Sequence, residues 1–297
     1  MKDKLTLMAR VKRRILFESK KLEPYLSDKH YLQIRFWLRV GYWPNLDHPR
    51  SFNEKLNWLK LHDIHPEYTK MVDKAAAKEY VANIIGSEHV IPTLGIWDSV
   101  NDIDWDSLPQ QFVLKNTGDS GGIVVCKDKS RLDIEAAKAK LQKKGYLDYY
   151  SYNKEYPYKN VKSRIIAEAY MEDESGELQD YKIHNFNGQP RFTLVCGNRF
   201  SASGLTEDFY SLDWQLMEVR RPNHPNADKR VPKPIELEEM YDYAIRLSKN
   251  IPFLRTDFYI VNHKVYFGEL TFFPSSGMGK FVPEEWDYKL GELLDLP

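Results

Sequence analysis

Near the C-terminus, two apolar strand-like runs, Asp257–Val261 and Val265–Thr271, flank Asn262-His263. Few other stretches restrict the fold as much. Such runs around a two-residue turn read as a β-hairpin. A turn at 262–263 sets Asp257 opposite position 268 or 269, so Asp257 and Glu269 fall near one another across the ladder. Opposed residues lie about 5 Å apart, and two bare carboxylates at that distance repel. A divalent cation resolves the conflict, because Mg²⁺ takes one or two carboxylates together with phosphate oxygens and water. Arg255 precedes Asp257 by two residues and shares its strand face. Tyr266, Phe267, Leu270, Phe272 and Phe273 surround Glu269 with apolar residues.

The rest of the pattern is helices first, then hairpins with interleaved helices, which predicts an α+β fold. Ser51-Phe52-Asn53-Glu54 is a capping box, and Phe52, Leu56 and Leu59 follow at helical spacing. A second helix is expected over about Thr69–Asn83, with Lys70, Lys74 and Lys78 aligned on one side. Strand-like Phe112–Lys115 runs into a Gly/Ser turn, 116–122, and then Ile123–Cys126. A helix follows at about Leu132–Lys143. Residues 162–171 read as a strand leaving into an acidic loop. Tyr181–Phe186 and Arg191–Cys196 form a hairpin through Asn187-Gly188. Residues 198–233 are polar and aperiodic, and a connection of that length is often functional. Leu237, Met240, Tyr241, Ala244 and Leu247 mark one more amphipathic helix.

Composition bounds the function. The 297 residues hold 43 Lys+Arg and 43 Asp+Glu, and a zero formal charge argues against a protein built to grip nucleic acid. Two cysteines, Cys126 and Cys196, make no disulfide scaffold and read as reduced core residues. No run approaches the ~20 apolar residues that span a bilayer, and residues 1–21 lack the apolar region of a secretory leader. The expectation is a cytoplasmic protein. Residues 1–21 carry eight basic side chains against Asp3 and Glu18. That basic segment suits peripheral contact with the anionic inner face of the membrane.

Two further groups of residues carry chemistry. Lys115 with the following Gly/Ser turn offers a point charge and backbone N–H groups to a phosphate; the P-loop spacing is absent. Glu168-Ala169-Tyr170-Met171 leaves a strand edge whose backbone groups can pair with a purine. The eight histidines show no metal-ligand spacing on a recognisable element.

The order of these groups resembles the ATP-grasp superfamily: Lys115 in "FVLK", the glycine loop "GDSGG", "AEAYM", then "RTD" and "GELT". The strings "SFNEKLNWLKLHD", "YTKMVDK", "IPTLGIWDS", "DYKIHNFNG" and "FGELTFFPSSG" resemble one branch, the TupA-like ATP-grasp proteins named for teichuronopeptide biosynthesis. The likeness covers about residues 28–297. It implies ATP between two α+β lobes, with a helical N-terminal region at 1–105, a small lobe at 106–170 and a large lobe at 171–297. Lys74 and Lys115 then match the lysines that hold the phosphates. Ser120, Gly121 and Gly122 match the lid. Glu168 and the backbone of Tyr170 and Met171 match the adenine-binding hinge. Asp180, reached across an insertion at 172–179, matches the ribose acid. Asp257 and Glu269 match the Mg²⁺ ligands, and Arg255 matches the arginine that steadies an acyl phosphate. Thr271 stands where many relatives carry an asparagine metal ligand. Lys182, beside Asp180, is assigned to phosphate.

The implied reaction is an ATP-dependent carboxylate–amine ligation through an acyl phosphate. The branch associates it with a uronic acid of cell-surface polysaccharide, joined to an amino acid or amine. The basic residues Arg199, Arg220, Arg221, Lys229 and Arg230 make 198–233 the expected acceptor loop. Three other readings compete. One is an ATP-grasp kinase acting on a sugar hydroxyl. Another is a nucleotide-sugar glycosyltransferase, from the DxD strings at Asp102, Asp104 and Asp106. The last is a non-catalytic docking module.

Overall fold

Side-chain alternation accounts for the larger of two antiparallel sheets. In the computed structural model, which describes residues 14–16, 18–118, 122–144, 149–173, 178–198 and 204–297, it has the strand order β7-β6-β5-β8-β9. Its strands are β5 (Asp180–Phe186), β6 (Gln189–Gly197), β7 (Thr206–Ser211), β8 (Phe253–Val261) and β9 (Lys264–Thr271). On β5, Tyr181, Ile183 and Asn185 point to one face and Asp180, Lys182, His184 and Phe186 to the other. The first face carries the helix Leu237–Leu247, whose Leu237, Met240, Tyr241, Ala244 and Leu247 are all buried, as the stripe predicts. The second face changes character along its length. Phe186 and Phe253 pack on Phe52 at one end, with ring centroids 5.4 and 5.0 Å away. The other end is charged and open.

The smaller sheet has the order β1-β4-β2-β3. Its strands are β1 (Thr93–Trp97), β2 (Phe112–Asn116), β3 (Ile123–Cys126) and β4 (Ile165–Ala169). A separate core beneath it contains Phe112, Leu114, Val124 and Leu141. Cys126 and Cys196 are buried and free, one in each sheet. The helices in chain order are α1 (Asp28–Val40), α2 (Phe52–His62), α3 (Tyr68–Val72), α4 (Ala76–Ile85), α5 (Ile134–Lys144), α6 (Tyr149–Asn153), α7 (Leu237–Leu247) and α8 (Glu285–Glu292). Among the described residues no helix is long and apolar enough to cross a membrane. The basic residues Lys2, Lys4, Arg10, Lys12 and Arg13 lie outside the described residues.

The capping box forms as read. Ser51 Oγ accepts from the Glu54 N–H at 3.2 Å, and Glu54 Oε2 accepts from the Ser51 N–H at 3.1 Å. From this fixed start, α2 holds a strap that follows β9. Asn53 donates to Gly279 O (2.8 Å), Asn57 to Gly277 O (2.7 Å) and Lys60 to Ser276 O (2.8 Å). Ser275 and Ser276 take φ of 52° and 57°, a left-handed conformation that costs non-glycine residues about 1 kcal/mol or more each. The α2 donors offset that strain. Lys60 is itself buried, and desolvation lowers its pKa to about 7. Burial raises the carboxyl of nearby Glu155 in turn.

Two expectations are corrected. The helix predicted over Thr69–Asn83 breaks into α3 and α4 at Asp73. There the Asp73 carboxylate accepts the Ala75 N–H (2.9 Å) and so starts a new helix, while the Lys74 N–H turns away to Thr117 O (3.1 Å). The segment 198–233 is not wholly irregular, because 206–211 is the edge strand β7. Its alternation is masked by buried polar residues. Asp208 is one of them, and its carboxylate accepts from Asn226 Nδ2 at 2.7 Å.

Candidate active site

Residues of both sheets and of α3–α4 line one cleft. From the small sheet come Lys115, Ile123 and Glu168; from the large sheet, Asp180, Lys182, Tyr259 and Glu269; from the break between α3 and α4, Lys74; and from α4, Lys78. Six residues assigned from sequence therefore meet here: Lys74, Lys115, Glu168, Asp180, Lys182 and Glu269. The cleft encloses about 110 Å³, below the 300–1,000 Å³ usual for drug-sized ligands.

On the small-sheet side, Glu168 lies opposite Val113 and therefore diagonal to Lys115 on the same face. Lys115 Nζ donates to Glu168 Oε2 at 2.5 Å, and Lys78 Nζ meets Oε1 at 2.6 Å. Burial by itself would raise the Glu168 carboxyl. The two ammonium groups outweigh it and hold the carboxyl below its ordinary value. Burial lowers Lys78, against the pull of Glu168. Sequence reasoning missed this role of Lys78. It stands four residues after Lys74 in a row that reads as a solvated face. Gly122 borders β3, while Ser120 and Gly121 lie outside the described residues. The Tyr170 side chain turns away from the cleft: its hydroxyl donates to Glu172 at 3.2 Å, and Lys127 lies 5.3 Å over its ring. Met171 follows it out of β4.

On the large-sheet side the decisive device is a bulge. From Val261↔Lys264 the ladder runs in register to Phe258↔Phe267, which would put Asp257 opposite Gly268 and send Glu269 to the far face. The register shifts there, and Asp257 pairs with Glu269 instead. Gly268 is the extra residue. A Cβ on it would lie 3.1 Å from Asp257 O and 3.0 Å from the Tyr259 ring. Asp257 is fully buried. Arg255 Nε and Nη2 each donate to it at 2.7 Å, and Nη2 also reaches Glu269 at 2.8 Å. Lys182 donates to Asp257 and contacts Asp180 at 2.6 Å. Burial would lower Lys182 and Arg255, but the acids around them push both above their ordinary values. Thr271 lies opposite Arg255, on the face of Glu269.

His184, beside Arg255 in the register, is buried and stacks on Phe192 at 4.3 Å. A carbonyl can only accept, so its Nδ1–H donates to Lys182 O at 3.1 Å. Burial and the neighbouring Arg255 keep this imidazole well below its ordinary pKa and neutral. Asp102, Asp104 and Asp106 do not line the cleft; Asp104 accepts the Ser107 N–H at 3.2 Å.

The donor set fits Mg²⁺ carried on a nucleotide. Asp257 and Glu269 supply two hard carboxylates side by side, the number this ion takes when phosphate and water complete its shell. Among the described residues no cluster of three or more His, Cys, Asp or Glu could cage an ion without such help. Arg255 and Lys182 now occupy those oxygens.

Two lobes of mixed helix and antiparallel sheet, closing on one charged cleft, make up the ATP-grasp fold. The chain belongs to the TupA-like ATP-grasp family, whose sequence model matches residues 54–295. A search of curated proteins found no match. Among solved structures, it is similar to the D-alanine–D-alanine ligase from Bacillus anthracis complexed with ATP, at 14% identity and a TM-score of 0.42, covering 68% of this chain and 54% of that one. It is also similar to the D-alanine–D-alanine ligase from Helicobacter pylori, at 13% identity and TM-score 0.41, covering 83% and 70%. A third is the ATP-grasp ligase PsnB complexed with a phosphomimetic variant of its minimal precursor, Mg and ADP, at 10% and 0.44, covering 81% and 64%. The chain spans just over half the length of the first of these structures.

Proposed function

We propose that this protein is an ATP-dependent carboxylate–amine ligase. The observation that carries this reading is the pairing of opposite charge surpluses across one cleft. Lys74, Lys78 and Lys115 line the small-sheet side of the cleft, where the single carboxylate of Glu168 is paired with both Lys78 and Lys115. Asp180, Asp257 and Glu269 outnumber Lys182 and Arg255 where Mg²⁺ would sit. Lys74, Lys115 and Lys182 bind phosphate. Gly122, with Ser120 and Gly121, closes as a lid. Glu168 and the backbone of Tyr170 and Met171 receive adenine, and Asp180 receives the ribose. Asp257, Glu269 and Thr271 hold Mg²⁺, which neutralises phosphate charge when bound.

A carboxylate is a poor electrophile. Its oxygen attacks the γ-phosphorus, the bond to the β-phosphate oxygen breaks, and ADP leaves. Arg255 steadies the acyl phosphate. An amine then attacks the carbonyl carbon, loses a proton and expels phosphate. The protein contributes positioning and charge rather than a covalent nucleophile. The family association supports a uronic acid of a cell-surface polysaccharide, or its precursor, as the acid and an amino acid or amine as the partner. Because ATP and sugar precursors are cytoplasmic, the reaction belongs there, with the basic N-terminal residues favouring the inner membrane face.

The test is ADP release with Mg·ATP, glucuronate or galacturonate, and a panel of amines. Amine-dependent ADP release, with an amide of matching mass, is expected. A stable phospho-adduct formed without amine would make the protein a kinase instead.

A further inference from the structure

The segment after β7 lays a second guanidinium, that of Arg221, on the strap that follows β9. Arg220 and Val282 exchange backbone hydrogen bonds of 3.0 and 2.9 Å, which tie this segment to the strap behind β9. Arg221 is thereby laid against the strap. Its guanidinium lies 4.2 Å over the Phe281 ring, and Nη1 donates to Lys280 O at 3.2 Å. A Cβ at position 279 would come within 2.3 Å of Nη1, so the group rests on bare glycine backbone. A planar cation is thus fixed between a ring and a main chain.

Its donors are differently placed from those of Arg255. Arg255 is shared between Asp257 and Glu269. Among the described residues no carboxylate forms an ion pair with Arg221, and its hydrogen bond at the strap lies at the exposed surface. A guanidinium has five N–H donors in a rigid fork that matches a carboxylate. Burial lowers Arg221 to about 10; the Glu207 and Asp287 carboxylates raise it, and Arg255 lowers it. Glu207 lies opposite Cys196, which lies opposite Asp180; the cleft face of the sheet therefore continues to Glu207. Among the described residues the Glu207 Oε2 is buried with no hydrogen-bond partner.

We infer that Arg221 is a specificity-determining residue that receives a carboxylate of the substrates other than the one phosphorylated. This deepens the ligase reading and rests on it. The second carboxylate belongs to the incoming amine, as in an α-amino acid, or to a diacid acceptor. Glu207 Oε2 is the acceptor for an ammonium or hydroxyl of the same ligand.

Two arms of one assay separate the sources. With glucuronate fixed, alanine is compared with ethylamine and glutamate with 4-aminobutyrate. With the amine fixed, glucuronate is compared with glucarate. In one arm the wild type should favour the partner with the extra carboxylate at least tenfold in kcat/KM. Arg221→Gln should cut that preference to within threefold, with the KM for Mg·ATP almost unchanged, and Arg221→Lys should fall between. A third arm needs no turnover: calorimetry of succinate with the Mg·ADP-loaded protein. Succinate should bind the wild type and bind Arg221→Gln at least tenfold more weakly. Equal binding by both, or none by the wild type, overturns the assignment, as does an unchanged preference in Arg221→Gln. Succinate binding that depends on Arg221, without amine-dependent turnover, would leave the anion site standing and remove the ligase reading.

Discussion

The two walls of the cleft use the same chemistry with opposite surpluses. On the small-sheet wall one carboxylate, Glu168, is held by two lysines. On the large-sheet wall two basic groups, Lys182 and Arg255, are held by three carboxylates. Within each cluster the ions satisfy one another, and each cluster keeps one charge in excess, positive on the small-sheet wall and negative on the large-sheet wall. A buried ion pair does little for stability compared with apolar packing. Two unbalanced clusters facing one gap are better explained by what enters the gap.

The largest effect should come from removing the carboxylate that Lys182 and Arg255 share on the negative wall. Asp257→Asn leaves Lys182 and Arg255 buried beside a neutral amide. Removing one partner of a buried pair costs about 3–5 kcal/mol, so the variant should melt roughly 10 °C lower, and ADP release should fall at least a thousandfold. A variant with unchanged stability would mean that the Asp257 cluster is solvated.

The positive wall should be less sensitive. Glu168→Gln removes the anion between Lys78 and Lys115 and should raise the ATP KM about tenfold. The acid limb carries a sign. The folded Glu168 carboxyl is held below its ordinary value. Its contribution is therefore complete above the unfolded pKa of about 4.3 and is lost as pH falls through the lower, folded value. The Tm difference between wild type and Glu168→Gln should be flat from pH 5 to 8 and shrink below about pH 4. A difference that persists there would show that Lys78 and Lys115 do not set it.

Gly268→Ala addresses how the negative wall is built. The methyl would press on the backbone of Asp257, so Glu269 should shift. Mg²⁺-dependent nucleotide binding should weaken about tenfold with little loss of Tm. Binding as tight as wild type would show that the bulge tolerates a side chain.

The smallest effect concerns the strap. Lys60 titrates at about 7, so its buried charge is a penalty below that pH. Between pH 7 and its ordinary value near 10.4 the unfolded chain binds the extra proton, and stability rises with pH. Wild type should therefore gain Tm relative to Lys60→Met between pH 7 and 9. A parallel pair of curves would contradict this.

Local rules carried much of this molecule. The capping box at Ser51 and Glu54, the turns at Asn187-Gly188 and Asn262-His263, and the apolar stripe of α7 each follow from residues within one or two turns of chain. Asp257 and Glu269 were legible as a pair because the turn between them is short. The shift at Gly268 was not, since a bulge is a choice between two registers and only the packing against Tyr259 and Asp257 decides it. Lys78 was hidden for a different reason. A row of lysines looks solvated until tertiary structure brings Glu168 to it. The break at Asp73 and the edge strand β7 were likewise set by distant partners, Thr117 in one case and Asn226 and β6 in the other.

The central claim is that both walls close on one Mg²⁺-bearing adenosine nucleotide. Calorimetric titration of the protein with an unhydrolysed ATP analogue, with and without Mg²⁺, tests it most directly. Binding should require Mg²⁺, should lose that requirement in Glu269→Gln, and should weaken in Lys115→Met. Absence of binding in the presence of Mg²⁺, or binding indifferent to all three changes, would contradict it.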